Sequence, residues 1–271
     1  MVFISLIIEK RTFMNERRFV SRGKTEAPAA GVTVGRNPVS ELLKSGRDIE
    51  KIYVLRGERE GSITKIVAIA RDRGIVVDET DKKRLDELSG GANHQGVAAI
   101  ASPVEYVSIE SIVERARERG EKPLIVVCDG IEDPHNLGAI IRCADGAGAH
   151  GVIIGKRRCA QMTSTVSKSS AGAIEYVPIA KVANIASAID ELKEMGIWTF
   201  AAEADGDDYR AADMNCPCAI VLGSEGEGVS RLVREKCDYT VSIPMRGGVN
   251  SLNVSTAAAV LLYEAASKQG K

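Results

Sequence analysis

Three short stretches of this 271-residue chain hold polar side chains in glycine-rich company. The first is Asn136-Leu-Gly138, with Arg142 one helical turn further on. The second is Gly223-Ser-Glu-Gly-Glu-Gly228, and the third runs from Ile243 through Pro244, Met245 and Gly247-Gly248 to Ser251-Leu-Asn253. Amides, a carboxylate (Glu225), a hydroxyl and a guanidinium in loops of low bulk can orient a small polar ligand and stabilise charge developing on it. Familiar alternatives fail on residue type. The phosphate-cradling G-x-x-x-x-G-K-[ST] pattern does not occur. Asp129-Gly-Ile-Glu-Asp133 stands where a dinucleotide fingerprint would follow the domain's first strand, and Gly223 to Gly228 lacks a ribose-binding acid about twenty residues on. His94, His135 and His150 are scattered, and no Ser/His/Asp or Cys/His constellation accompanies them. Spacing alone implies an α/β enzyme or binding protein with a loop-built small-ligand site.

Each stretch stands where a strand hands over to a helix. Leu124 to Cys128 is an apolar run short enough for a central strand. A loop follows, then a helix from Leu137 to Ala147 with Ile140, Ile141 and Ala144 inward. Further strands are expected at Val152–Ile154, Tyr176–Ile179, Trp198–Ala202, Ala219–Leu222 and Tyr239–Ile243, with helices between them. That pattern is a parallel sheet with helices on both faces, whose C-terminal loops converge on one edge. From Val254 to Ala266 the chain is apolar almost all round: Val254, Ala258, Leu261 and Ala265 share one face, and Ala257, Val260 and Leu262 fill others. Such a helix must be buried, against its own domain or a second copy of the chain. Ser251 and Asn253 sit where its N-cap belongs.

Upstream, residues 32–103 alternate helix and strand as a small α/β unit. Its turns offer Arg36, Asn37 and Asn93-His94-Gln95 for reading RNA. Residues 104–121 read as a charged linker helix with Ile112, Val113 and Ala116 inward, leaving 122–271 as the second domain. Residues 1–31 begin with an apolar run too short to span a bilayer and without the flanks of a signal peptide. Met14 is a second candidate start, and residues 14–31 are expected as a flexible basic arm.

Hydrophobic residues at 44% and charged ones at 27% are those of a soluble globular protein. Aromatics at 4% argue against a surface gripping single strands by repeated stacking, and a net charge of −1 carries no global nucleic-acid signal. The six cysteines are scattered, and no second pair or histidine cluster joins Cys216-Pro-Cys218 to make a zinc site. Free thiols in a reducing cytoplasm, and no metal, are the expectation.

The stretches Asn136-Leu-Gly-Ala-Ile-Ile-Arg142, Leu222-Gly-Ser-Glu-Gly-Glu-Gly228 and Ile243-Pro-Met245 with Ser251-Leu-Asn-Val-Ser255 resemble, in order, the three motifs of the SpoU (TrmH-type) family. These are RNA ribose 2′-O-methyltransferases that use S-adenosylmethionine, and the likeness covers residues 122–267. Gly35-Arg-Asn-Pro-Val-Ser-Glu-Leu-Leu43 and His94-Gln-Gly-Val97 look like the ribosomal-protein-like RNA-binding domain of members that modify large-subunit rRNA. Within the family the chain is most similar to bacterial 23S rRNA guanosine-2′-O-methyltransferases. The resemblance implies a C-terminal trefoil knot, a rare exception to unknotted topology, a homodimer, and 23S rRNA as partner. It implies that Leu222, Gly223, Ile243, Met245, Ser251 and Leu252 hold the cofactor in a bent shape. It also implies that Asn136, Arg142, Glu225, Ser251 and Asn253 are the catalytic-site positions.

The chemistry suits these residue types. A methyl on a sulfonium is already an activated electrophile, whereas a ribose hydroxyl is a poor nucleophile until its proton leaves. Arg142 is the family's candidate for activating it, yet a guanidinium hardly deprotonates in proteins. The physical expectation is that Arg142 stabilises the developing alkoxide and holds the adjacent phosphate, with Asn136 and Asn253 orienting groups. A dimer formed through the Val254–Ala266 helix would let Arg142 serve the neighbour's cofactor. The competing readings are a tRNA or antibiotic-resistance rRNA 2′-O-methyltransferase, and a non-catalytic RNA-binding protein of the same fold. The intact Arg142, Ser251 and Asn253 argue against the last, and the N-terminal unit favours rRNA over tRNA.

Overall fold

Two sheets organise the chain in a computed structural model that describes residues 31–57, 61–102 and 104–271. The expected basic arm, Gly31 apart, lies outside the described residues.

The first unit comprises β1 (Val32–Val34), α1 (Arg36–Lys44), β2 (Ile49–Leu55), α2 (Ser62–Asp72), β3 (Val76–Thr80), α3 (Lys82–Ser89) and β4 (Val97–Ala101). Its strands lie in the order β1-β4-β2-β3, antiparallel except for the β2–β3 pair. Helices α1 and α2 pack Val39, Leu43, Ile63 and Ile66 on one face, and Leu85 and Leu88 of α3 cover the other. Asp81 caps α3 by accepting from the Arg84 N–H, and Gly90 ends it in the left-handed conformation.

The second unit follows as β5 (Tyr106–Val107), α4 (Ile109–Glu118), β6 (Leu124–Cys128), α5 (Pro134–Gly146), β7 (Gly151–Gly155) and α6 (Ser164–Ser169). It continues with β8 (Ile179–Val182), α7 (Ile185–Glu194), β9 (Trp198–Asp208), β10 (Cys218–Leu222), α8 (Arg231–Lys236), β11 (Tyr239–Ser242) and α9 (Val254–Gln269). The sheet order is β11-β9-β10-β6-β7-β8-β5, with every pairing parallel. Alternate residues of the central strands enter two cores. Val126 and Ile220 meet α5 and α9 on one face, while Val127 and Val221 meet α4, α7 and α8 on the other. Strands buried on both faces need continuous apolar runs, which is what β6, β7 and β10 have. From β6 the chain winds one way through β7 to β8, and β10 lies on the opposite side of β6. The β6–β10 boundary is therefore the switch point of the sheet.

Three expectations change. Residues 104–121 are no linker: Tyr106 and Val107 pair with β8, and Ile109, Ile112, Val113 and Ala116 of α4 are buried against the sheet. The charged outer face of α4 conceals that inner stripe. The strand expected from Tyr176 begins only at Ile179, because Ala173–Glu175 forms a 3-10 turn that leaves Tyr176 73% exposed. Strand β9 runs on past Ala202 to Asp208, and β11 follows it across a register shift at Thr240/Val241.

Helix α9 buries Val254, Ala258, Leu261, Leu262, Ala265 and Ala266, leaving Tyr263 on an open side. Among the described residues no helix is long and apolar enough to cross a membrane. All six cysteines are free, and burial pushes the thiols of Cys159 and Cys218 up to about 12.

Candidate active site

The loops after β6 and β10 meet at the switch point. The Asp129 N–H donates to the Leu222 carbonyl at 2.8 Å, and the Ser230 N–H donates to the Asp129 carboxylate at 2.8 Å. Between them, residues 223–228 close on themselves, Ser224 and Gly228 exchanging N–H to carbonyl bonds of 2.9 Å each. A Cβ on Gly223 would lie 1.9 Å from the Gly228 carbonyl carbon, so the turn closes only without a side chain there. The Glu203 carboxylate, on the extension of β9, then takes the Val229 N–H.

This closed turn presents Glu225 to two asparagines. Asp133 caps α5 through the His135 N–H at 2.9 Å, with Pro134 starting the helix, which places Asn136 in its first turn. Asn136 is 8% exposed, and its Nδ2 donates to Glu225 Oε1 at 3.0 Å. Asn253 Nδ2 donates to the same oxygen at 2.6 Å and to Asn136 Oδ1 at 3.0 Å. Its own Oδ1 accepts from the Ser255 N–H at 2.9 Å, capping α9. Residues from all three expected stretches thus form one hydrogen-bonded set.

Beside that set lies a cleft of ≈ 310 Å³. Leu222, Gly223, Ile243, Met245, Ser251 and Leu252, the expected cofactor positions, all border it. Glu203 and Asn250 border it too, and sequence reasoning missed both. The continuation of β9 beyond Ala202 places Glu203, and that extension is set by pairing with the distant β11. A second hollow, ≈ 410 Å³, opens on the other side of Glu225 against Asp129, Asn136 and Arg158.

Arg142 is the exception. It is exposed and borders neither hollow. Six residues along an α-helix turn the side chain by about 240°, so Arg142 cannot share the face of Asn136. The turn offered for RNA reading is also redeployed. His94 Nδ1 accepts from the Gly96 N–H at 3.0 Å, and its Nε2 lies 3.2 Å from Asp86. Gln95 accepts from the Arg36 N–H through Oε1 at 3.1 Å and from Arg36 Nε through its carbonyl at 3.0 Å. His94 and Gln95 therefore close the turn and seat the start of α1.

Residues 123–263, which contain all three loops and the cleft, match the model of the SpoU rRNA methylase family. The chain belongs to the SpoU rRNA methylase family. As a SpoU member it is an RNA methyltransferase, and residues 32–107 match a second model, RNA 2′-O ribose methyltransferase substrate binding. A Staphylococcus haemolyticus protein named for the TrmH family of tRNA/rRNA methyltransferases is 47% identical over 86% of this chain and 94% of its own. Among solved structures, the SpoU methyltransferase AviRb from Streptomyces viridochromogenes, crystallised with AdoMet, is similar at 27% identity and a TM-score of 0.56. That match covers 88% of this chain and 90% of AviRb. An AdoMet-bound rRNA methyltransferase from Sinorhizobium meliloti matches at 25% identity and TM-score 0.55, over 86% of this chain and 85% of its own. The SpoU substrate-binding match thus spans the four-stranded unit and β5, and the methylase match spans the remaining strands of the larger sheet.

Proposed function

We propose that this chain transfers the methyl group of S-adenosylmethionine to a ribose 2′-hydroxyl in RNA, that of a guanosine in 23S rRNA. The observation that carries the reading is the carboxylate of Glu225, held by Asn136 and Asn253 at the boundary between two hollows. One hollow suits the methyl donor; the other, bordered by Asp129, Glu132, Asp133 and Glu227 as well as Asn136 and Arg158, suits the acceptor's ribose hydroxyl and not its phosphates.

The first hollow fits the cofactor in size and charge. Its volume is at the lower end of small-ligand pockets, about 300–1,000 Å³. Leu222, Ile243 and Leu252 supply apolar wall for an adenine ring. Glu203 and Glu225 supply negative charge toward a ligand that carries a sulfonium and an ammonium. When bound, the cofactor supplies a methyl group already activated by its positive sulfur. The chain's own residues have the remaining tasks. Asn136 and Asn253 position Glu225, Ser251 offers a hydroxyl at the cleft rim, and in-line placement of the acceptor supplies much of the rate.

Arg142 meets a developing alkoxide only from a second copy of the chain, because its own helix turns it away from Asn136. We read the open side of α9, with Tyr263 56% exposed, as the homodimer contact that brings the partner's arginine in. The C-terminal segment is read as a trefoil knot. Support comes from β10 lying between β9 and β6 while the chain returns from β11 past the 223–228 loop into α9, which packs on α5.

Ribosomal RNA is favoured over tRNA by the matched substrate-binding unit and by the likeness to an rRNA methyltransferase along most of the chain. The test offers tritiated S-adenosylmethionine with unmodified 23S rRNA and with a tRNA pool, followed by nucleoside analysis. Label recovered as 2′-O-methylguanosine from 23S rRNA is the expected result. Label in tRNA alone would redirect the reading, and no label in either RNA from a protein that binds the cofactor would reject it.

A further inference from the structure

Between the two units runs a cleft of ≈ 750 Å³. One wall is α2 with the edge strand β3, and the other is the loop that follows β7. Its charge is mostly positive: Arg71 from α2, Lys51 from β2, and the consecutive Lys156, Arg157 and Arg158. Among the described residues, the two acids that share it, Asp78 and Glu79, are engaged already. Asp78 bonds Lys51 at 2.8 Å, and Glu79 has an interaction of its own. Among the described residues, the side chains of Arg71, Lys156, Arg157 and Arg158 have no carboxylate partner.

Two features tie this charge to the active site. Arg158 borders the cleft and also the hollow formed by Asn136 and Glu225, so the two adjoin at this residue. Arg158 is also held at φ 51, a left-handed conformation that glycine or asparagine adopts with less strain. The surrounding loop is pinned by the Lys156 N–H to Val182 at 2.8 Å and by the Ala160 N–H to Ile131 at 2.7 Å. An arginine in a strained backbone beside the proposed reaction site points to a use for its side chain. On the far wall, Lys156 reaches across to the first unit: its Nζ stands 3.2 Å from where a Cβ on Gly74 would be.

We propose that this cleft carries the RNA strand leading to the acceptor ribose, with Arg71, Arg157 and Arg158 neutralising successive phosphates. The inference rests on the RNA 2′-O-methyltransferase reading above and names the surface that delivers the substrate. Among the described residues no aromatic ring lines the cleft, so the grip is electrostatic and not a stacking platform. Phosphate contacts of this kind fix register without reading sequence, and they release counterions. Binding should therefore be steeply salt-dependent.

The test uses the full chain and an unmodified 23S rRNA transcript, with filter binding between about 50 and 200 mM salt. Arg71→Gln/Arg157→Gln/Arg158→Gln should flatten the slope of log K against log salt by about 2 and weaken binding at least about tenfold at the low-salt end. Cofactor affinity and melting temperature should stay at the wild-type values, because these side chains are exposed and unpaired. Lys65→Gln, on the exposed face of α2 but outside the cleft, should keep the wild-type slope. Arg158→Gly separates strain from function: it should raise the melting temperature while weakening RNA binding. A folded triple variant with wild-type slope and affinity would overturn the cleft, and so would an equal loss in Lys65→Gln. If the wild type methylates RNA and the triple variant does so equally well, the cleft fails and the methyltransferase reading stands. A wild type that binds cofactor but no RNA overturns both.

Discussion

Asn253 holds Glu225 across 2.6 Å with its Nδ2 while its Oδ1 caps α9 through the Ser255 N–H at 2.9 Å. The residue that starts the C-terminal helix therefore also fixes the loop acid 28 positions earlier. The capping role and the proposed role in methyl transfer meet in one side chain, and they can be separated.

Asn253→Ala should lose both functions. The missing cap costs about 1 kcal/mol. The missing bond to a charged group costs about 1.5–3 kcal/mol, which corresponds to a roughly ten- to hundredfold drop in methyl transfer if it acts at the transition state. Asn253→Ser keeps a capping hydroxyl but falls short of Glu225. Its melting temperature should stay near wild type while its rate falls as far as that of the alanine variant. Equal rates for wild type and the serine variant would remove Asn253 from the site.

Two of the three glycines in the Glu225 turn should respond differently to a methyl group. At Gly223 a Cβ meets the Gly228 backbone at 1.9 Å, whereas at Gly226 nothing among the described residues lies within 4 Å. Gly223→Ala must push the turn open against about 1–3 kcal/mol of strain, lowering cofactor affinity roughly tenfold or more. Gly226→Ala should bind as wild type. Calorimetric titration with S-adenosylmethionine compares them directly.

Arg142 tests the proposal that two copies of the chain share a site. An Arg142→Ala chain and an Asn253→Ala chain should each keep no more than about a tenth of wild-type activity alone. Refolded together in equal amounts, half of the dimers are mixed and each mixed dimer has one intact site, so activity should return to about a quarter of wild type. No recovery in a mixture shown to contain heterodimers would place Arg142 elsewhere. Sedimentation showing an active monomer would do the same.

His150 should make stability sensitive to mild acid. Its Nδ1 accepts from the Leu124 N–H at 3.0 Å, its Nε2 donates to Glu121 at 3.0 Å, and burial holds the ring below its ordinary value of 6.5. The unfolded chain takes up the proton first, so stability is fully present above about pH 6.5 and declines as pH falls toward the lowered value of the folded state. Glu121 is held below the usual carboxylate range by His150 and Lys271, against its own burial, and stays ionised through this window. Denaturant midpoints should fall between about pH 7 and pH 5 for the wild type and stay flat for His150→Gln, which starts less stable.

Much of this molecule is legible along the chain. Five-residue apolar runs such as Leu124–Cys128 announce strands buried on both faces, because a parallel sheet covered by helices leaves no wet side. Asn136, Glu225 and Asn253 stand out because polar groups beside glycine at strand ends have few ordinary structural uses. Those signals are local, or depend only on chain order. What they do not contain is orientation and long-range pairing. The stripe Ile109, Ile112, Val113 and Ala116 looks alike on a linker and on a packed helix, and only the pairing of β5 with β8 shows that it packs. His94 and Gln95 offer donors and acceptors to any reader of the sequence, yet Asp86, Gly96 and Arg36 have already used them. Glu203 becomes part of the cleft only through the shifted pairing of β9 with β11, and Lys156 to Arg158 become a charged wall only because α2 stands opposite. Residue types and their order along the chain point to the candidate site residues and to the runs that form the sheet. Tertiary structure alone decided which way each side chain faces and what it meets, because those depend on packing between segments far apart in the chain.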